Sequence, residues 1–202
     1  EVLSRIMDVA CQLLQQLRYI HKKGKLHLDV KPANVLFTQN QAVKLSGFGA
    51  SVSFVRYCCD LASAQQEVAA CNSGHEAKPP RTVVQAIQVP AHLAPEQMQR
   101  EGEIKAATDI YNWALTVLEM FTGAPTWVSV KNPLDALQVC ASGEGADLEG
   151  KHPDCPNMPE SLRQLLETCL AWDPEVRPTT VKELTPRMAE LYQEVAGRRY
   201  HF

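Results

Sequence analysis

The sequence predicts a mostly α-helical domain carrying one small β-hairpin near its start. Three observations lead there. From Val2 to Ile20, apolar residues recur at three- and four-residue steps, the stripe of an amphipathic helix with one buried face. Two short apolar runs, Asn34–Phe37 and Ala42–Leu45, flank the polar Thr38-Gln39-Asn40-Gln41, which is a hairpin signal. Helical patterns then return and occupy most of the second half of the chain.

Taken in order, Gly24 is placed to stop the first helix. The stretch from about Arg56 to Gln88 is rich in Ala, Ser, Gln and Cys, carries Pro79-Pro80 and holds no sustained period, so a long loop is expected. Ala107–Thr122 is strongly apolar and ends at Gly123. Shorter helices are expected at Pro133–Ala141 and Glu160–Trp172. A last one, Thr180–Ala196, contains Pro186, which should kink or divide it. Asp147–Pro159, with three prolines, reads as a connector. No internal repeat is visible, and Gly143-Glu144-Gly145 lacks the third glycine of a phosphate loop.

The 202 residues suit one domain or one large lobe. A net charge of −3 gives no electrostatic reason to expect nucleic acid or an anionic membrane as partner. No apolar run approaches the roughly 20 residues needed to span a bilayer. The first residues lack the basic segment and apolar stretch of a signal peptide and read as a chain cut into the beginning of a helix. Seven scattered cysteines without C-x-x-C spacing favour reduced thiols in a cytoplasmic setting. Cys58, Cys59, Cys71 and His75 are four soft ligands, but their spacing matches zinc sites loosely, and ordinary loop cysteines are the expected reading.

The chemistry concentrates in His27-Leu28-Asp29-Val30-Lys31-Pro32-Ala33-Asn34, directly before the hairpin. Phosphoryl transfer needs a carboxylate near the attacking hydroxyl, a cation near the moving phosphoryl group and an oxygen ligand for magnesium. Asp29, Lys31 and Asn34 supply those types within one short loop.

This segment resembles the catalytic loop H-R-D-x-K-x-x-N of eukaryotic-type protein kinases at His27, Asp29, Lys31 and Asn34. Gly47-Phe48-Gly49 falls where the family has D-F-G, and Val89-Pro90-Ala91-His92-Leu93-Ala94-Pro95-Glu96 resembles the A-P-E end of an activation segment. Asp109-Ile110-Tyr111-Asn112-Trp113-Ala114, running to Gly123, is similar to the family's central buried helix. Leu170–Pro178 resembles the segment near the end of the lobe. The order is right and the matches cover most of the chain.

The resemblance implies a kinase-like fold represented by its C-terminal lobe over residues 1–202. Its parts would be a helix over 1–23, the catalytic loop and first strand over 26–37, an activation segment over 47–96 with an insertion at about 56–88, and a helical core over 107–196. No G-x-G-x-x-G strand turn, strand lysine or partner glutamate helix is present, so the N-terminal lobe is missing from this chain. The cofactors implied are ATP and Mg2+. The partners implied are a protein substrate or scaffold partner and the absent upper lobe.

Residue by residue, Asp29 would orient the substrate hydroxyl and Lys31 would meet the γ-phosphate, a lysine typical of serine/threonine kinases. Asn34 would hold one magnesium, and Leu36 would floor the adenine. His27 and Phe48 would support the site. Glu96 and Arg177 would form a buried ion pair, and Asp109, capping the central helix, would hold the loop around His27.

Three departures weaken the implied activity. Gly47 replaces the aspartate that ligates the main magnesium ion. Leu28 replaces the arginine that pairs with a phosphorylated activation loop. Val89 replaces a threonine whose hydroxyl would tether Asp29 and Lys31. The resemblance therefore implies a serine/threonine kinase-like domain in an intact parent, inactive as this chain alone, with a pseudokinase scaffold as the alternative.

Overall fold

The computed structural model describes residues 1–48, 91–99, 103–125, 133–142 and 155–202. The loop expected at 56–88, the Cys58, Cys59, Cys71 and His75 group, Gly49, Val89 and Gly143-Glu144-Gly145 lie outside them, as does most of the proline-bearing connector.

Helix α1 (Val2–Lys22) buries Ile6, Met7, Ala10, Cys11, Leu13, Leu14, Leu17 and Ile20 along the face set by its apolar spacing. Its last carbonyls, Ile20 and His21, accept from the N–H groups of Lys23, Gly24 and Lys25, which ends the helix. An extended stretch and a 3-10 turn at Pro32–Asn34 lead into strand β1 (Val35–Phe37). Strand β2 (Val43–Leu45) pairs with it antiparallel, with Val35 opposite Leu45 and Phe37 opposite Val43. Asn34 thus belongs to the turn, not to the strand.

Two strands alone are a marginal sheet, and α1 supplies the rest. Val43 N–H donates to Gln12 Oε1, Leu45 N–H donates to Gln16 Oε1, and Gln16 Nε2 donates to the Val43 carbonyl. The outer edge of β2 is thereby satisfied by helix side chains.

Helix α2 (Ala106–Thr122) runs through the core, buried on nearly every face, with Trp113 and Phe121 fully enclosed. Trp113 Nε1 reaches the Ala10 carbonyl of α1 at 3.1 Å. The helix ends at Gly123, whose φ of +78° is a conformation that costs a residue with a Cβ. Helices α3 (Pro133–Ser142) and α4 (Glu160–Cys169) pack on each other and on α2, and α5 (Val181–Ala196) packs along α1.

The expected end of one helix changes, and of the kink or division expected at Pro186 the division does not occur. Helix α4 stops at Cys169, because Leu170–Arg177 turns away to form a 3-10 turn at Pro174–Val176 that serves the core. Helix α5 runs unbroken through Pro186. The Lys182 carbonyl, which would have accepted the missing N–H of residue 186, accepts the Thr185 hydroxyl at 3.0 Å instead.

Among the described residues the fold is five helices and one two-stranded antiparallel sheet, and no helix is long and apolar enough to cross a membrane.

Candidate functional site

The catalytic-type loop is suspended from the first turn of α2. Asp109, fully buried, accepts the His27 N–H at Oδ2 (2.9 Å) and the Leu28 N–H at Oδ1 (2.6 Å). His21 Nε2 lies 2.7 Å from the same Oδ2. Asp109 was expected as the cap of this helix. It sits instead within the first turn, and the cap bond runs from the Lys105 N–H to the Thr108 hydroxyl.

Leu28 has a φ of +64°, a conformation that costs a leucine roughly 1–2 kcal/mol. Its two backbone groups are both clamped, the N–H by Asp109 and the carbonyl by Gln97 Nε2 at 2.9 Å. The clamps offset the strain and fix the direction in which the next residue leaves.

That residue is Asp29, 8% exposed. Lys31 Nζ lies 2.8 Å from its Oδ1, and Asn34 Nδ2 donates to its Oδ2 at 2.8 Å and to its carbonyl at 2.7 Å. The three chemistry-bearing side chains singled out in the sequence are therefore in mutual contact. Each Asp29 carboxylate oxygen already has a partner within this trio.

His27 is buried and bridges the loop to the segment after β2. Its Nε2–H donates to the Ser46 carbonyl (2.8 Å), and its Nδ1 accepts the Asp29 N–H (3.3 Å). That pattern requires the neutral ring, and burial pushes the His27 pKa below its ordinary value, against smaller opposing effects of Ser46, Asp109 and Asp29. Phe48 stands edge-on to this imidazole, ring centroids 4.6 Å apart.

Ser46 N–H and hydroxyl both donate to the Asn34 carbonyl, at 2.8 and 3.0 Å. This zips the turn onto the hairpin and sets Gly47 under the Asn34 side chain. A Cβ on Gly47 would fall 2.5–2.8 Å from the Asn34 amide atoms, and Gly47 itself has a φ of +91°. The volume of a side chain at position 47 is occupied by Asn34. Leu36 lies on β1, 53% exposed, and Phe37 beside it is 54% exposed.

Arg177 and Glu96 meet in the core in a bidentate pair at 2.8 and 3.0 Å. The remaining guanidinium donors reach the carbonyls of Ala171, Trp172 and Ala107, and its plane lies 4.5 Å from the Tyr111 ring centroid. Burial pushes the Tyr111 hydroxyl up to about 12, so it stays neutral beside the pair.

The protein kinase domain family model matches residues 3–189. The chain belongs to the protein kinase domain family. Similar proteins include the serine/threonine-protein kinase SSK22 of Saccharomyces cerevisiae, 29% identical over 188 residues, which is 92% of this chain and 13% of that protein. The serine/threonine-protein kinase STE20 of Kluyveromyces lactis is 28% identical over 192 residues, covering 95% of this chain and 17% of that protein. The mitogen-activated protein kinase kinase kinase 3 of Arabidopsis thaliana is 26% identical over 178 residues, covering 86% of this chain and 24% of that protein. The kinase-family chain thus spans a quarter or less of the length of these relatives.

Sequence reasoning missed several side chains that build this kinase-family site. Gln97 accepts the Ala94 N–H and the Asn112 amide while holding Leu28. Asn112 also donates to the His92 carbonyl, and His92 Nε2 lies 2.6 Å from Glu119 Oε2. Thr116 donates to the Val30 carbonyl at 3.2 Å. Only the polar residues interrupting the apolar α2, Asn112 and Thr116, left a signal in the sequence, since fully buried polar groups are kept for hydrogen bonds.

Proposed function

We propose that this chain is the helical C-terminal lobe of a serine/threonine-type protein kinase domain. In an intact parent that domain transfers the γ-phosphoryl of ATP to protein hydroxyls, and by itself this chain does not. The contact of Asp29 with Lys31 and Asn34 carries the reading. On it, Asp29 orients the substrate hydroxyl, Lys31 meets the transferring phosphoryl group, and Leu36 with exposed Phe37 offers an apolar floor to the adenine and the upper lobe. Asp109, Glu96 and Arg177 hold the frame. Residues 47–96 form the activation segment. A reducing, cytoplasmic setting belongs to the same reading, supported by the buried free thiols Cys11 and Cys169.

When bound in this family, magnesium would supply neutralisation of the phosphate charge. The residues present do not make its usual seat. Asn34 offers one amide oxygen, Gly47 offers no side-chain oxygen, and the volume where a carboxylate would stand is filled by Asn34. Loss of one preorganised electrostatic partner costs about 10²–10³ in rate. The same observation favours a second reading, a pseudokinase in which the trio is a closed structural unit and the lobe serves as a binding or scaffolding module.

A phosphate-transfer assay with magnesium or manganese separates the readings, comparing this chain, a parent bearing the upper lobe and its Asp29→Asn variant. Transfer by the parent that the substitution abolishes supports the enzyme. No transfer above the Asp29→Asn background leaves the scaffold. Activity in the chain alone would overturn both.

Gly47→Asp tests the metal account. At φ +91° and against Asn34, the substitution should lower thermal stability and fail to raise nucleotide affinity unless Asn34 is shortened too, as in Gly47→Asp/Asn34→Ser. A single substitution that raises both stability and rate would refute the steric argument.

A further inference from the structure

A cavity of about 530 Å³ lies between the C-terminal end of α1, the first residue of α2 and the N-terminal end of α5. Arg18, Lys22 and Lys182 bring three positive charges to its wall, Ala106 and the aliphatic stems of those cations give it an apolar floor with the nearly buried Val181 behind them, and no carboxylate is among its lining residues. Arg18 and Lys22 are one helical turn apart on α1, a like-charge spacing that disfavours the helix. No hydrogen bond or ion pair engages the side chains of Arg18, Lys22 or Lys182 among the described residues. By contrast, Lys31, Lys105, Arg163, Arg177 and Arg187 each have a carboxylate.

The nearest acids on these elements are already engaged, and Glu103 and Glu175 are held by Lys105. Asp109 is buried behind His21, which also lines the cavity. Glu183 accepts from the Thr179 N–H and from the Thr179 and Thr180 hydroxyls at the start of α5. Val181 and Lys182, first in a 16-residue helix, line the same wall, and the positive end of the helix dipole adds to its potential.

Cations without counter-charges around an apolar floor select an anion with an organic body. The volume falls in the range of small-molecule sites, about 300–1,000 Å³, and the stems of Arg18, Lys22 and Lys182 extend its apolar contact. We propose that this cavity is a binding site for a small phosphomonoester. Its phosphate would meet Arg18, Lys22 and Lys182, and its organic part would rest on Ala106 and the aliphatic stems of those side chains. The site lies one hydrogen bond, His21 to Asp109, from the carboxylate that anchors the catalytic loop. It does not depend on whether the lobe transfers phosphoryl groups.

The test uses the full chain and phenyl phosphate at constant ionic strength, followed by calorimetry and by thermal unfolding, with phenol and inorganic phosphate as separate arms. Saturable binding of phenyl phosphate, tighter than inorganic phosphate and absent for phenol, is expected. Lys22→Gln/Lys182→Gln, both at exposed positions, should weaken it about tenfold, since two solvent-screened charge contacts are together worth about one decade. In chloride the variant should melt no lower than the parent chain, since it also relieves the Arg18–Lys22 repulsion. No saturable response, or equal affinity in the double variant, would overturn the site. Binding of inorganic phosphate as tight as phenyl phosphate would overturn the role of the apolar floor.

Discussion

At Arg177 every guanidinium donor direction is taken up, by one carboxylate and three carbonyls, in a place with no water to substitute for them. Removing one member of such a pair strands the other charge. Arg177→Ala should therefore destabilise the lobe by about 3–5 kcal/mol in urea unfolding, and unchanged stability would count against the pair as a core tie. His27 makes a second residue-scale case. Its pKa in the folded chain is lowered by burial from an ordinary 6.5, so below that pH the unfolded chain binds a proton that the native chain refuses. Stability should then fall as pH drops through about 6.5. The decline should be shallower in His27→Gln when melting is followed from pH 7.5 down to 5. Parallel profiles would show that another group sets the slope.

At the scale of elements, α5 shows how one hydroxyl changes the meaning of a proline. A proline inside a helix costs about 3 kcal/mol relative to alanine, and Thr185 recovers part of this by donating to the carbonyl that Pro186 leaves unpaired. Pro186→Ala should raise the melting temperature, because it restores a backbone donor to Lys182. A fall would mean that the ring itself is packed to advantage. This is also where sequence reading reached its limit. The pattern placed the helix and found the proline, but the rule that proline divides a helix could not weigh a neighbouring side chain. Helix α1, α2 and the hairpin were legible because each follows from periodicity within a single segment. His21, Gln97 and Gln12 were not, because their partners lie 88, 69 and 31 residues away in the chain. Nothing local marks them.

Across the whole molecule, the order of motifs makes the kinase family readable, and the trio of Asp29, Lys31 and Asn34 is named by the sequence alone. The mutual satisfaction of that trio is not. Motif spacing says which side chains share a loop, whereas the crowding of Asn34 over Gly47 depends on how the turn is zipped to the hairpin through Ser46.

The glutamines of α1 that satisfy the outer edge of β2 carry a consequence for how copies of this chain behave together. An open strand edge is a template on which a neighbouring chain can extend the sheet, and short sheets usually guard against it with charge, proline or a covering element. Here Gln12 and Gln16 occupy the donors and acceptor that an incoming strand would use. The helix acts as a terminating strand, so sheet growth from one molecule to the next is blocked along β2 for as long as α1 stays docked.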